Sequence, residues 1–458
     1  MPTAVFRARL ERAIIVSAVT ALLSACSDKS TAPRSLRPST ANADITAQSM
    51  VTVTNTADDG AGSLRDAIAN APDGSTIQFD PSIAGQTILL QTSFLAVDKS
   101  LTIEGPNQGM TVDGNGLEHV FLMSQAGTTI TLRNLTITHG NSVTTEGGGI
   151  EAQNVDLTLD HVLVLHNSAG IGGGVALPNG SLTLINSTVY GNLASLNGGG
   201  ISANNGSVTL RHSTVVQNTA ATGGGIDWLN KSNGPFTATL ENTIVANNSA
   251  TTGPNCHTGL SRVPTLVGVN LFDDASCGEA SANALVADPQ LGVLADNGGP
   301  TRTVALLGNS PAIDAAVNCS VTTDQRYVSR PQGLACDIGA YEFTDFVTGQ
   351  MSIDGGGLVN LETGAAVISG TVTCPTLVAL TLHVSLTQPQ KLRKVPTTAG
   401  TEGDVPVTCS GISTWAIALT PRSGTFENGV AAAVAKATQP KYFLASASSD
   451  VFMKWLHK

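Results

Sequence analysis

Histidines, carboxylates and cysteines are the residues of this chain with chemistry to offer. Carbohydrate cleavage would need one of two patterns: acids gathered around Ca²⁺ with an Arg or Lys base beside them, or two carboxylates flanking a glycosidic bond. Between residues 127 and 250 the acids are Glu146, Glu151, Asp156, Asp160, Asp227 and Glu241, and the bases are Arg133, Arg211 and Lys231. They hold no common position in the repeat described below, so no catalytic cluster is expected. His139 precedes a glycine without a paired Asp-Asp or Arg-x-Lys in the following coils, and is expected as an exposed corner residue. His161 and His212 lie 51 residues apart, two coils, and could stack as a metal pair. Asp58-Asp59-Gly60 and Asp113-Gly114-Asn115-Gly116 could hold Ca²⁺, but such pairs form turns first. No GxSxG nucleophile elbow is present.

What would position these groups is a repeat. Three glycines and a β-branched residue recur as Gly147–Ile150, Gly172–Val175, Gly198–Ile201 and Gly223–Ile226, at spacings of 25, 26 and 25 residues. A second mark keeps the same period: Leu159/Asn167/Ala169, Leu184/Asn192/Ala194, Leu210/Asn218/Ala220 and Leu240/Asn248/Ala250. Between the marks lie short Thr/Val/Ile/Leu runs separated by Asn and Gly, which is strand-and-corner chemistry. The expectation is all-β: a right-handed parallel β-helix, one coil per ~25 residues. Asn167, Asn192, Asn218 and Asn248 would then stack as an internal amide ladder. From residue 51 to 288 this spacing predicts nine or ten coils and a rod about 45 Å long.

The ends differ from the middle. Arg7, Arg9 and Arg12 precede an apolar run from Ala13 to Leu23, too short to span a bilayer, so 1–25 is expected as a signal peptide. Leu23-Ser24-Ala25-Cys26 resembles the lipobox of bacterial lipoproteins, which implies lipidation of Cys26. Ser27 carries no inner-membrane retention signal by the common sorting rule, so an outer-membrane or surface lipoprotein is expected. Residues 26–48 form a Ser/Thr/Pro-rich tether. Ser63 to Ala71 is an amphipathic helix with Asp66 in a capping-box position, expected to close the first coil of a β-helix over 49–287. Residues 346–458 alternate like antiparallel strands and are expected as a small Ig-like β-sandwich, although Trp415 lies outside the pair Cys374 and Cys409. Apart from Cys26 there are six cysteines. Nearness pairs Cys256 with Cys277, Cys319 with Cys336 and Cys374 with Cys409, one of fifteen connectivities. A net charge of −11 with no basic block argues against nucleic acid. No cofactor or metal is called for, and a monomer is expected.

Val53-Thr54-Asn55-Thr56-Ala57-Asp58-Asp59-Gly60 with Gly62-Ser63-Leu64-Arg65-Asp66-Ala67-Ile68 resembles the start of bacterial surface β-helix proteins of the choice-of-anchor Q group. A later series looks like that domain itself: Asp288-Pro289, Asn297-Gly298-Gly299-Pro300-Thr301, Asn309-Ser310-Pro311-Ala312-Ile313-Asp314, Asp324-Gln325-Arg326, Arg330-Pro331 and Cys336-Asp337-Ile338-Gly339-Ala340-Tyr341-Glu342. One departure is Tyr327, where glycine usually follows Asp-Gln-Arg. The resemblance spans roughly residues 50 to 343, with 288–345 as the end segment, and the repeats are also similar to those of polymorphic outer-membrane proteins. It implies export, an anchor that varies between members, and no established catalysis. The functional expectation is a lipid-anchored envelope protein whose β-helix is a rigid surface for adhesion or for binding glycan or protein. The alternatives are a polysaccharide lyase or hydrolase, for which Thr138-His139-Gly140 shares the His-Gly of polygalacturonases, and a purely architectural envelope protein.

Overall fold

The computed structural model describes residues 49–458 except 230–236, 260–262, 345–346, 393–394, 423–424, 440–442 and 457–458. Cys26, the expected leader and tether, and Lys231 lie outside the described residues. One coil shows how the chain is built. Strand Asp156–Asp160 turns at His161 into Leu163–Leu165, continues through Ser168–Ile171 and the glycine triplet, and runs on as Val175–Pro178. Each strand pairs in parallel with its counterpart one coil on, as in Asp156↔Ser181 to Asp160↔Ile185. The result is a first and a second sheet of nine strands, a third of seven, and a three-stranded lip over 141–146, 168–171 and 193–197. Nine strands make eight steps, fewer than expected, because several coils are longer than 25 residues. Thr102 pairs with Thr131, and Arg211 with Glu241. Eight steps give a stack of about 38 Å.

The interior is filled as period-two strands require. Leu157 and Leu159, Leu182 and Leu184, then Val208 and Leu210 point inward from the first sheet and are buried. The β-branched residue after each glycine triplet fills the opposite wall, with Ile150↔Val175 and Ile201↔Ile226 in register. Gly173 shows why the triplets are glycine. A Cβ there would overlap the carbonyl oxygens of Leu193 and Gly199 on the next coil. The helix Leu64–Asn70 covers the first coil, with Leu64, Ala67 and Ile68 buried in the same core. Ser63 caps it by accepting from the Asp66 amide, while Asp66 reaches back to the amide of Gly62.

The four ladder asparagines bond one to the next along the axis. The Nδ2 groups of Asn167, Asn192 and Asn218 donate to the next Oδ1 at 3.1, 2.9 and 3.0 Å. Asn248 then donates to Asn255. Each amide also ties down backbone: Asn192 donates to Val164 O and accepts from Asn167 N–H. All four are buried, so these bonds replace water that is absent.

The C-terminal region is mostly antiparallel, with Gly356–Val359 parallel to Ser446–Trp455, and barrel-like where a two-sheet sandwich was expected. Ala366–Leu392 is one continuous strand that pairs with Val395–Leu419, Gly429–Gln439, Gln350–Ile353 and Gly356–Val359. Ser446–Trp455 links Gly429–Gln439 to Gly356–Val359, so the path closes on itself. Among the described residues Val395–Leu419 pairs only with Ala366–Leu392, so it lies outside the closed path and keeps one free edge. Trp415 lies opposite Gly370 over the buried cluster that includes Val372, Leu382 and Phe426.

Asn192→Ala leaves the Asn167 N–H without its acceptor and removes one partner each from Asn167 Nδ2, Val164 O and Asn218 Oδ1 in a dry interior. The expected cost is about 3–5 kcal/mol, read from a urea unfolding midpoint, and a cost below about 1 kcal/mol would contradict the ladder's role.

Candidate functional site

Stacking reveals where the acids go. The last outward position of the first sheet runs Glu104, Arg133, Asp160, Ile185, Arg211, Glu241, one residue per coil. Asp160 and Glu241 therefore share a repeat position after all, in a column of alternating charge. Arg133 bridges Glu104 at 3.3 Å and Asp160 at 2.9 Å, and Arg211 meets Glu241 at 3.0 Å. Burial alone would raise Asp160, but hydrogen bonds from His161 and Arg133 carry its carboxyl below the usual range. Asp156 accepts from Ser181. Asp227, fully buried, meets His257 at 2.7 Å and Asn197. Asp58 is held by Arg65 and Thr92, and Asp59 accepts from the Gly60 amide, so that turn spends its oxygens locally. His161 and His212 are not neighbours. Asn186 lies between them in a corner column whose residues all have positive φ, from Asn134 to Asn242. His161 stacks on Tyr327 at 4.1 Å, and His212 contacts Asn242.

The motif series at 288–343 does not close the end of the rod. It folds back along the outer face of the second sheet. There Val216, Ile244, Ala246 and Leu271 pack against Val304, Leu306, Ala312, Ile313 and Ile338. Strands such as Leu163–Leu165 and Ile244–Ala246 are therefore buried on both faces. Lack of alternation in those runs was a readable signal of this cover. The motif residues lock the segment. Gln325 bonds Thr188 at 2.6 Å and Thr301 at 2.8 Å. Arg326 pairs with Asp324 and lies 3.6 Å over the Tyr341 ring. Arg330 meets Glu342 at 2.8 Å, both side chains fully buried, and donates to the carbonyls of Asp337 and Gly339. Tyr327 has φ +67°, a region that favours glycine. The strain of about 1 kcal/mol is offset by its stack on His161 and a 2.7 Å bond to Asn134. Cys319–Cys336 closes a loop of this segment, Cys256–Cys277 lies near the last coils, and Cys374–Cys409 joins the two long C-terminal strands.

The cover stops short of the early coils, and a cleft of about 500 Å³ opens where it stops. Its floor is the outer face of the second sheet. Across the register, Thr111–Thr136–Leu163 and Asp113–Thr138–Leu165 change from polar to apolar as the covered region begins. His139 and His166, one coil apart, form one rim with rings 6.5 Å apart. The opposite wall is the Asn297-to-Thr301 turn with Asp296, Pro300 and Arg302. Gly109 lets that wall approach, since a Cβ there would overlap the Pro300 carbonyl and its φ is +72°. Asp113 Oδ1 accepts from the Asn115 amide, so Asp113-Gly114 is a turn, while Oδ2 holds His139 Nδ1 at 3.0 Å. Burial, then His139 and Arg302, keep His166 below its usual imidazole value. Thr138 is 4% exposed, and its hydroxyl has no hydrogen-bond partner. Sequence reasoning named His139 and Asp113 separately. It named Thr138 only as part of Thr138-His139-Gly140 and passed over His166, Asp296 and Arg302, although the 27-residue interval between the two histidines was a signal.

A second cleft of about 420 Å³ lies between the lip and the third sheet. His119 Nδ1 bonds Gly147 O at 2.8 Å, and its Nε2 faces Glu151 at 3.3 Å. Burial raises Glu151, with His119 opposing and Glu146 reinforcing the shift. Among the described residues no group of three His, Cys, Asp or Glu is arranged to hold a metal ion, and no helix is long and apolar enough to cross a membrane. No family model matches the chain and no curated protein is significantly similar to it, so the choice-of-anchor Q resemblance rests on the motifs quoted.

Two buried groups at the covered face titrate in opposite senses. Burial, then Glu342, push Asp337 up to about 7; burial, then Arg330, push His212 down to about 3. Folded Asp337 keeps a proton that the unfolded chain loses near pH 4, so its contribution is lost as pH rises through about 7. His212 stays neutral where the unfolded chain protonates, so its contribution is lost as pH falls below about 6.5. Asp337→Asn removes one slope. Its stability should then fall relative to the parent as pH drops from 6.5 to 4, by up to about 1.4 kcal/mol per unit, while a profile parallel to the parent's would contradict the assignment.

Proposed function

We propose that this is an exported envelope protein of the choice-of-anchor Q kind, anchored by a lipid on Cys26, whose β-helix is a rigid surface for binding glycan or protein outside the cell. The observation that carries this is an ordered outer face whose repeats are otherwise spent on scaffolding. One outward column of the first sheet is threonine at every step from Thr76 through Thr102, Thr131, Thr158, Thr183, Thr209 and Thr239 to Thr265. Beside it runs the charged column from Glu104 to Glu241. Rows of hydroxyls and charges about 4.8 Å apart, fixed by parallel pairing, offer many weak polar contacts at no further ordering cost. Three disulfides belong to an oxidising, extracytoplasmic compartment, which is consistent with export.

A second reading, glycan cleavage, is favoured by one observation: the cleft where Glu151, raised by burial, lies with Glu146 and His119. Two carboxyl groups in one cleft are the pair that acid–base hydrolysis of a glycosidic bond requires.

Cys26→Ala should move the protein from the membrane fraction to the soluble exported fraction, and retention in membranes would contradict the anchor. Cells displaying the parent protein should adhere to a glycan- or protein-coated surface that cells displaying none do not hold. If the chain instead cleaves glycan, purified protein should release reducing ends from pectin or alginate, and Glu151→Gln should abolish that release.

A further inference from the structure

The cleft at the edge of the covered face has features that scaffolding does not explain. A buried hydroxyl without a partner is destabilising, and Thr138 bears that cost where valine, the strand-former of equal shape, would avoid it. Thr111, Asp113 and Thr136 beside it also line the open cleft, whereas Thr188 and Thr214 farther along the same face are hydrogen-bonded to the cover. Asp113 holds His139 Nδ1, which leaves Nε2 as the ring nitrogen available at the rim. With Asp113 and Asp296 against Arg302, carboxylates outnumber the one fixed cation. Phosphates and uronates are therefore disfavoured. A molecule that both donates and accepts at neighbouring positions, without net charge, fits.

We propose that this cleft binds a short stretch of an uncharged glycan, its hydroxyls paired with Thr138, Asp113 and His139. The volume, about 500 Å³, lies within the range of small-molecule sites. The Asn297-to-Thr301 turn sets the width. Thr301 accepts from Gln325 Nε2 and donates to His161 O, so the wall is held by the same motif that locks the cover to the second sheet. The inference rests on the binding-surface reading above and narrows it to one site and one ligand class.

The test uses the full-length chain in detergent with two sets of soluble probes: cello-, xylo-, manno- and laminari-hexaose, and oligogalacturonate and oligomannuronate. Binding is read by calorimetry and by saturation-transfer NMR. At least one neutral oligosaccharide should bind. Thr138→Val should weaken it about tenfold while leaving the melting temperature unchanged or higher, since only an unpartnered hydroxyl is removed. Asp113→Asn should weaken the same oligosaccharide with the turn retained. No binding of any neutral probe, or binding of uronates alone, would overturn the proposal. If a neutral glycan binds with equal affinity to the parent, Thr138→Val and Asp113→Asn, the cleft assignment fails and the surface reading stands. If the displayed protein also adheres to no coated surface, both fail.

Discussion

Parallel stacking is the constraint on which this molecule depends. Each residue is placed over its counterpart one coil earlier, so any choice made once is repeated along the rod. For a buried amide this is favourable, because the group above supplies the partner that water would have supplied. The Asn167-to-Asn255 series satisfies itself this way and ties Ile137, Val164, Val189 and Val215 carbonyls at the corner. For a charge, stacking is costly unless the signs alternate, since like charges would stand about 4.8 Å apart. Arg133 between Glu104 and Asp160, and Arg211 beside Glu241, obey that rule.

The same constraint leaves three long outer faces, and their treatment divides the molecule. The first sheet keeps a polar outer face of threonine and paired charge. The second becomes largely apolar after its early strands, apart from Thr188 and Thr214, which the cover satisfies, and would expose a hydrophobic strip if segment 288–343 did not lie on it. The buried Arg330–Glu342 pair and Asp324–Arg326 pair give that cover one register rather than extra stability, because desolvating charges roughly cancels their attraction. Where the cover ends, a polar floor meets a rigid wall. Both candidate clefts thus arise at edges: one where the cover stops, the other where the lip stands off the third sheet.

Much of the fold was legible because repetition makes a weak local signal strong. One Gly-Gly-Gly-Ile is a turn; four at a 25- or 26-residue interval are the corners of a solenoid. The asparagines, the capping helix at Ser63 and the near-neighbour cysteine pairs were readable for similar local reasons. Tyr327 was readable only as an oddity. Its positive φ shows why glycine is usual there, and its stack on His161 shows what the larger side chain gains.

The sequence by itself determined the architecture of the rod, because period, strand propensity and corner chemistry are all local and all agree. It did not determine which residues meet across the chain. Asp160 and Glu241 looked scattered because coils vary in length, and only the register placed them in one column. His139, Asp113 and Arg302 come together because segment 288–343 turns back along the flank, a long-range packing choice driven by the apolar face of the second sheet. The strands of the C-terminal region could be read one by one, but closure depends on pairing between strands distant in the chain, such as Gly356–Val359 with Ser446–Trp455. Local patterns specify elements. Burial of the faces they leave open specifies the site.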